Sequence, residues 1–331
     1  MKIVRTDAEL ELPMVDARLR AAGAQLVTLP ETVTAQALAS EVASADLLLM
    51  CYTPVTAALI AGAARLKGIV KFGVGIDAID IDAAMARGIP VVNVPDYAEE
   101  TVAEGAFALL LGLARRFKPI QRAIDEQGWV WPAERWIGHD LSGKTLGLVG
   151  AGRIGSSMAR MAAAFRMRVL ACDPHAGPLP MERFTDLREM LAQCDFVSIH
   201  CVLNAETRHL LGAAELRAMK ASAFLINVSR GEIVDEAALL AALLEKRIAG
   251  AALDVYGREP LAKTGHPLSA LYAMDNVIVW PHLTFYTREA MQRLEEETLE
   301  RCFEMLEGRP VTVKSRDPRL RAQTRGVRFI D

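Results

Sequence analysis

Short runs of aliphatic and β-branched residues alternate along the chain with stretches whose apolar positions recur at helical spacing. In the first part the strand-like runs are residues 2–6, 25–28, 47–51, 68–72 and 91–93. Helical patterns lie between them, for example over 8–22 and 56–63. Strands and amphipathic helices in alternation predict an α/β architecture with parallel sheets. A long helical pattern over 99–116 then leads into an aromatic stretch containing Trp129, Trp131 and Trp136. A second series starts near Leu141, with strand-like runs at 144–149, 168–172, 196–200, 223–227, 250–255 and 277–279. One more helical pattern, 287–307, is long enough to return to the first series.

The run at 144–149 ends in Gly150-Ala151-Gly152-Arg153-Ile154-Gly155, a helical pattern follows, and the next strand closes on Asp173. This is a G-x-G-x-x-G turn between strand and helix, with an acid about twenty residues further on, as a dinucleotide site requires. Gly150 permits the tight turn, Gly152 lets the backbone approach a pyrophosphate, and Gly155 allows close helix–strand packing. The helix N-terminus adds free N–H groups and partial positive charge. Such a motif opens its domain, so its mid-chain position implies a separate unit before it. The expected organisation is a first domain of residues 1–98 and 288–331, with a cofactor domain of 99–287 inserted into it. The cleft between the two is the expected active site, since small-ligand sites favour domain interfaces.

Composition narrows the class. Of 331 residues, 52% are apolar and 24% charged, which describes a large-cored globular protein. A net charge of −3 supplies no basic field for nucleic acid. Cys51, Cys172, Cys194, Cys201 and Cys302 have no C-x-x-C spacing, and their expected state is reduced, in a cytoplasmic protein. No metal site is expected. The N-terminus lacks the apolar core of a signal peptide, and the apolar helical stretch 105–114 is about half the length of a membrane span. Residues 314–328 carry Arg316, Arg319, Arg321, Arg325 and Arg328 with little apolar pattern, which reads as a solvated tail. The sharper alternative is a cationic arm over an anionic ligand or a neighbouring subunit.

A dinucleotide turn implies hydride transfer only if other groups hold and protonate a substrate. Arg230, Glu259 and His282 each stand at or just beyond the C-terminal end of a predicted strand, where open α/β sheets place ligands. Each also has a plain alternative: a surface cation, a Glu-Pro turn and a structural histidine. Composition does not separate these readings.

Ordered motifs do. Phe72-Gly73-Val74-Gly75-Ile76-Asp77 with Asp80, Gly88-Ile89-Pro90-Val91-Val92-Asn93-Val94-Pro95 and Thr101-Val102-Ala103-Glu104 precede the glycine turn. Thr207-Arg208-His209-Leu210, Asn227-Val228-Ser229-Arg230-Gly231, Ala252-Leu253-Asp254-Val255, Glu259-Pro260 and Pro281-His282 follow it. Over nearly its whole length the chain resembles the D-isomer-specific 2-hydroxyacid dehydrogenase family, which includes phosphoglycerate dehydrogenase and glyoxylate/hydroxypyruvate reductase. The resemblance implies two Rossmann-like doubly wound domains, a flavodoxin-like one for substrate and one for NAD. It implies a catalytic trio of Arg230, Glu259 and His282. His282 would exchange the proton, and Glu259 at its other nitrogen would favour the charged imidazole and orient it. Arg230 would grip the substrate carboxylate.

By the same resemblance, Asp254 meets the nicotinamide carboxamide, while His200, Cys201, Val202 and Thr207 line the adenosine side. Arg153 and Ile154 lie on the pyrophosphate turn. Thr101, Val228 and Ser229 complete the cofactor contacts, with Arg230 and His282 reaching the nicotinamide end. Asp173 followed by Pro174 and His175, without arginines, favours NAD(H) over NADP(H). Val74 and Gly75 would offer N–H groups to the substrate carboxylate, with Tyr52, Lys71, Gly73 and Phe285 nearby. Residues 99–140 would form a dimerisation helix and aromatic arm, implying a homodimer.

Two departures qualify the resemblance. Leu283-Thr284-Phe285-Tyr286 follow His282 where many relatives have small residues, which favours a subgroup that also contains NAD-sensing corepressors of the C-terminal-binding-protein kind. An NAD(H)-gated binding protein is therefore the alternative to an enzyme. Formate or phosphite oxidation is weaker, because formate enzymes replace the catalytic Glu with Gln. The loop 50–54 is uncharged, which argues against a phosphorylated substrate, although Lys71 offers a compensating charge.

Overall fold

The computed structural model describes residues 1–174 and 181–330; His175 lies outside them. The chain divides into two compact units, Met1–Ala98 with Thr287–Asp331, and Glu99–Tyr286.

In the first unit β1 (Lys2–Arg5), α1 (Pro13–Ala21), β2 (Gln25–Thr28), α2 (Ala35–Val42) and β3 (Leu47–Met50) follow in order. Next come α3 (Ala57–Gly62), β4 (Gly68–Lys71), α4 (Ile81–Ala86) and β5 (Val91–Asn93). The strands form a parallel sheet of order β2-β1-β3-β4-β5, the flavodoxin-like order. Every residue of β3, β4 and β5 is buried, and strands covered on both faces read as unbroken apolar runs. Periodicity alone starts the first helix at residue 8, whereas α1 starts at Pro13. Proline fits the first helical turn, where no N–H is needed. Asp7 ahead of it takes a left-handed φ of 57° and accepts N–H bonds from Cys51, Tyr52 and Thr53.

The second unit opens with α5 (Glu99–Ala114) and α6 (Phe117–Gln127), a helix the apolar pattern did not separate from the aromatic stretch. The break is Arg116, at φ 56°. Then come β6 (Thr145–Val149), α7 (Arg153–Ala164), β7 (Arg168–Cys172), β8 (Glu182–Phe184) and α8 (Leu187–Leu191). They are followed by β9 (Phe196–Ile199), α9 (Ala213–Ala218), β10 (Phe224–Asn227), α10 (Glu236–Leu244), β11 (Gly250–Leu253) and β12 (Val277–Val279). The parallel sheet runs β12-β11-β10-β9-β6-β7-β8, the dinucleotide order extended by one strand. Alternation in β10 places Phe224 and Ile226 in a core with α5 and α7, and Leu225 in a core with α8, α9 and α10. Helices thus cover both faces, the doubly wound arrangement. Each such side chain contributes about 1.5–3 kcal/mol when fully buried.

The chain returns to the first unit through α11 (Arg288–Leu306), β13 (Val311–Val313), α12 (Pro318–Arg321) and β14 (Val327–Phe329). The solvated-tail reading is therefore corrected. β14 pairs with β13, Leu320 is fully buried, and Gln323 bonds the N–H and C=O of Val91 at 2.7 and 2.8 Å. One side-chain amide covers the edge of β5 as a strand would, a function that leaves no periodic trace. Among the described residues no helix is long and apolar enough to cross a membrane.

Candidate active site

The glycine turn lies after β6, whose neighbours β7 and β9 connect in opposite directions, so it sits at the switch point of the sheet. Gly150 has φ 92°, and a Cβ there would stand 2.5 Å from the Cys201 nitrogen. A Cβ on Gly155 would stand 2.4 Å from the Gly150 oxygen, so α7 packs directly on the turn. At Gly152 nothing lies within 4 Å, and α7 begins there without a side-chain cap. An uncrowded glycine beside uncapped helical N–H groups fits a pyrophosphate.

Asp173, at the end of β7, accepts the Ala151 N–H at 2.8 Å and so ties the acid to the turn. Strand β8 brings Arg183 beside it, donating to the carbonyls of Asp173 (2.8 Å) and Pro174 (3.2 Å). The local sequence has no arginine after Asp173; this one arrives through strand pairing, with Ala171 opposite Arg183.

The other cofactor candidates cluster around this turn and the ends of β9 and β10. Burial pushes His200 down to about 4, so its imidazole is neutral. Its Nε2 lies 2.9 Å from Ser198 Oγ, and Nδ1 is buried without a partner among the described residues. Burial pushes the Cys201 thiol up to about 12. Ser229 Oγ donates to the Cys201 carbonyl at 2.5 Å, joining the two strand ends. Thr207 Oγ1 donates to the Val202 carbonyl at 2.6 Å, and the Val202 side chain is exposed. Val228 and Thr101 are buried, Ile154 packs against the core, and Arg153 pairs with Glu99 at 2.7 Å.

Arg230, Glu259 and His282 follow β10, β11 and β12, which are adjacent strands. Asn227 Nδ2 donates to the Arg230 carbonyl at 2.9 Å, and the Arg230 guanidinium donates to the Ser229 carbonyl at 2.8 Å. A Cβ on Gly231 would stand 2.0 Å from the Tyr256 carbonyl carbon, so only glycine lets this backbone lie against the loop carrying Glu259. Glu259 Oε1 accepts the Tyr256 N–H at 3.0 Å, and Oε2 lies 2.8 Å from His282 Nδ1. Burial alone would raise the Glu259 carboxyl. The His282 hydrogen bond and charge, the Tyr256 N–H and the Arg230 charge outweigh it and hold the carboxyl below its ordinary range.

His282 takes a left-handed φ of 58°. Asp254, fully buried, accepts the N–H groups of Leu283 (2.8 Å) and Thr284 (3.1 Å) and the Thr284 hydroxyl, and so fixes the turn behind the histidine. The resemblance assigned Asp254 to the cofactor; this hold on the turn was not foreseen. Phe285 is buried, its ring edge-on to the imidazole at 6.2 Å. Trp280, Leu283 and Tyr286 are exposed around it.

In the first unit, Tyr52, Lys71, Gly73, Val74 and Gly75 lie at and beyond the ends of β3 and β4. Tyr52 and Val74 are exposed, while Lys71 is 5% exposed, its ammonium 3.0 Å from Cys51 Sγ. Gly73 has φ 145°, and a Cβ there would stand 2.8 Å from Lys71 Nζ. Asn93 Nδ2 donates to the Val74 carbonyl at 2.6 Å.

Comparison with known proteins supplies the family. Residues 107–284 match the family described as D-isomer specific 2-hydroxyacid dehydrogenase, NAD binding domain. The chain is 40% identical over 254 residues to a glyoxylate reductase of Korarchaeum cryptofilum, covering 75% of each protein. It is 38% identical over 282 residues to the D-3-phosphoglycerate dehydrogenase of Methanocaldococcus jannaschii, covering 83% of this chain. The chain spans about half of that relative, 52% of its length. The crystal structure of D-lactate dehydrogenase from Aquifex aeolicus, complexed with NAD and lactic acid, superimposes with a TM-score of 0.82 at 28% identity. That match covers 92% of this chain and 96% of the other. These relatives are reductases and dehydrogenases, which leaves the corepressor alternative without support. The chain belongs to the D-isomer specific 2-hydroxyacid dehydrogenase family and is an NAD(H)-dependent oxidoreductase of small hydroxy and oxo acids.

Proposed function

We propose that the protein interconverts an unphosphorylated D-2-hydroxy acid and its 2-oxo acid, with Arg230, Glu259 and His282 as its catalytic residues. The observation that carries this is the 2.8 Å contact between Glu259 and His282 beside Arg230, at the C-terminal ends of adjacent strands. NAD(H), when bound, supplies or accepts the hydride at the substrate's C2. The turn Gly150–Gly155, the N-terminus of α7 and Asp173 would hold it, together with the residues at the ends of β9 and β10.

His282 can donate its Nε2 proton to the carbonyl oxygen in reduction and take it back in oxidation. Its Nδ1 is committed to Glu259, which steadies the imidazolium. Arg230 carries a permanent charge and a planar fork suited to a carboxylate. Val74 and Gly75 are the first unit's proposed N–H donors to the substrate. Lys71, buried against Cys51, is not presented as a phosphate ligand, and the 50–54 loop carries no charge. Both support a substrate without a phosphate.

A homodimer is part of the proposal. Trp129 and Trp131 are 80% and 77% exposed, an aromatic surface suited to a second copy. Five free thiols agree with a cytoplasmic setting. The deciding experiment is NADH and NADPH oxidation against a panel of 2-oxo acids, with His282→Ala alongside. Turnover is expected with NADH, falling about 10²–10⁴-fold in the variant with NADH binding retained. An unchanged kcat in the variant overturns the assignment.

A further inference from the structure

We propose that His266 is the residue that positions Glu259, an inference that rests on reading Glu259 and His282 as the acid–base pair. Glu259 stands in the long connection between β11 and β12, where no helix or strand forms before residue 269. Backbone groups in such a stretch need partners from side chains. Ser269 and Tyr272 fasten the far part of the loop, their hydroxyls donating to the carbonyls of Ala262 (3.0 Å) and Leu261 (2.7 Å). Glu236 accepts the Gly257 N–H at 2.6 Å. The carbonyl of Arg258, on the peptide bond leading into Glu259, is held by His266 Nε2 at 2.9 Å.

The imidazole is 6% exposed, and its other nitrogen, Nδ1, accepts the Leu268 N–H at 3.0 Å. Accepting at Nδ1 puts the proton on Nε2, so the ring is neutral, in one tautomer, and donates to Arg258. It therefore spans the loop like a strut, from residue 268 back to 258. The peptide it orients is the one from which the Glu259 side chain rises toward His282. A misplacement of about 1 Å at a catalytic group costs on the order of 10²-fold in rate. Among the described residues His266 makes no hydrogen bond to His282 or to the glycine turn, so its effect on turnover runs through Glu259.

Two substitutions separate the strut from general packing. In His266→Asn the short amide can still accept the Leu268 N–H but falls short of the Arg258 carbonyl. In His266→Gln the longer amide can donate to Arg258. Steady-state kinetics across pH, NADH binding by fluorescence and thermal unfolding are measured on the full chain, using the 2-oxo acid the wild type reduces fastest. For His266→Asn, kcat is expected to fall about 10- to 100-fold with NADH binding retained. The acid limb of its pH profile should move upward as Glu259 loses its fixed contacts. For His266→Gln, most of the wild-type kcat should return. Wild-type kcat and acid limb in the Asn variant overturn the proposal. So does a Gln variant as impaired as Asn, or a kcat loss that follows lowered stability with the acid limb unmoved. His282→Ala is the control: if it turns over like wild type, the acid–base reading fails, whatever His266 does.

Discussion

Replacing Glu259 by Gln tests the centre of the site with almost no change of shape. The carboxylate accepts two donors, the Tyr256 N–H at Oε1 and His282 at Oε2. Glutamine offers one acceptor and one donor group, so it can satisfy one of these and must oppose the other. If its oxygen keeps Tyr256, its NH₂ faces Nδ1 and favours neutral imidazole over the charged form. If it flips, two N–H groups face each other at Tyr256. A hydrogen bond to a charged group contributes about 1.5–3 kcal/mol net, which corresponds to roughly 10- to 150-fold in rate. The side chains are 31% and 23% exposed, so solvent screening places the expected loss toward the lower end. The pH dependence has a definite sign. A carboxyl held below its ordinary value keeps its contribution above about pH 4.3, the reference value, and loses it only as pH falls through the lower folded value. Wild-type enzyme should therefore show an acid limb below that value, and the Gln variant should lack it. The assay is the pH dependence of kcat and kcat/KM, with NADH binding measured separately. An unchanged kcat with the acid limb intact refutes the reasoning.

Gly231→Ala places a Cβ 2.0 Å from the Tyr256 carbonyl carbon; overpacking of this kind costs about 1–3 kcal/mol, and denaturant unfolding and kcat should fall together. Asp173→Ser removes the carboxylate proposed to repel a 2′-phosphate while Arg183 stays beside it, so the ratio of kcat/KM for NADPH over NADH should rise; a constant ratio would show that Asp173 does not select the cofactor. Gln323→Ala strands the buried N–H and C=O of Val91, at about 1–3 kcal/mol for a buried unsatisfied group, read as a lower Tm with NADH binding intact. Trp129→Ser with Trp131→Ser should shift sedimentation of the proposed dimer toward monomer, and an unchanged oligomer would place its interface elsewhere.

The fold was legible wherever burial is two-sided. Runs such as Leu47-Leu48-Leu49-Met50 and Phe224-Leu225-Ile226 have no polar face, so their strand character survives without knowledge of the neighbours. Illegible parts are those stabilised by something other than a periodic apolar face. Strand β8 is a mostly exposed edge of three residues, and the C-terminal segment is fixed by Gln323, Leu320 and one short strand pair. A scale of apolar spacing assigns such segments to solvent. The break between α5 and α6 turns on the left-handed conformation of Arg116, which no side-chain preference announces.

The site divides along the same line. The groups proposed to meet a ligand can be picked out by chemistry and by place, since Arg230, Glu259 and His282 each follow a strand end. The groups that hold them cannot, because their partners are backbone atoms, which carry no residue code. Asp254 grips the amides after His282, Gly231 makes room for the Tyr256 backbone, and His266 grips the carbonyl before Glu259. Strand pairing likewise brings Arg183 to Asp173, although the stretch directly after Asp173 suggests no cation at all. On the proposed assignment, cofactor preference would therefore depend on a pair, one member readable after β7 and the other supplied by β8. A preference inferred from the acid alone is incomplete: on the proposed assignment Asp173 would repel a 2′-phosphate, and Arg183, held on the carbonyls of Asp173 and Pro174, would set how much of that repulsion is cancelled.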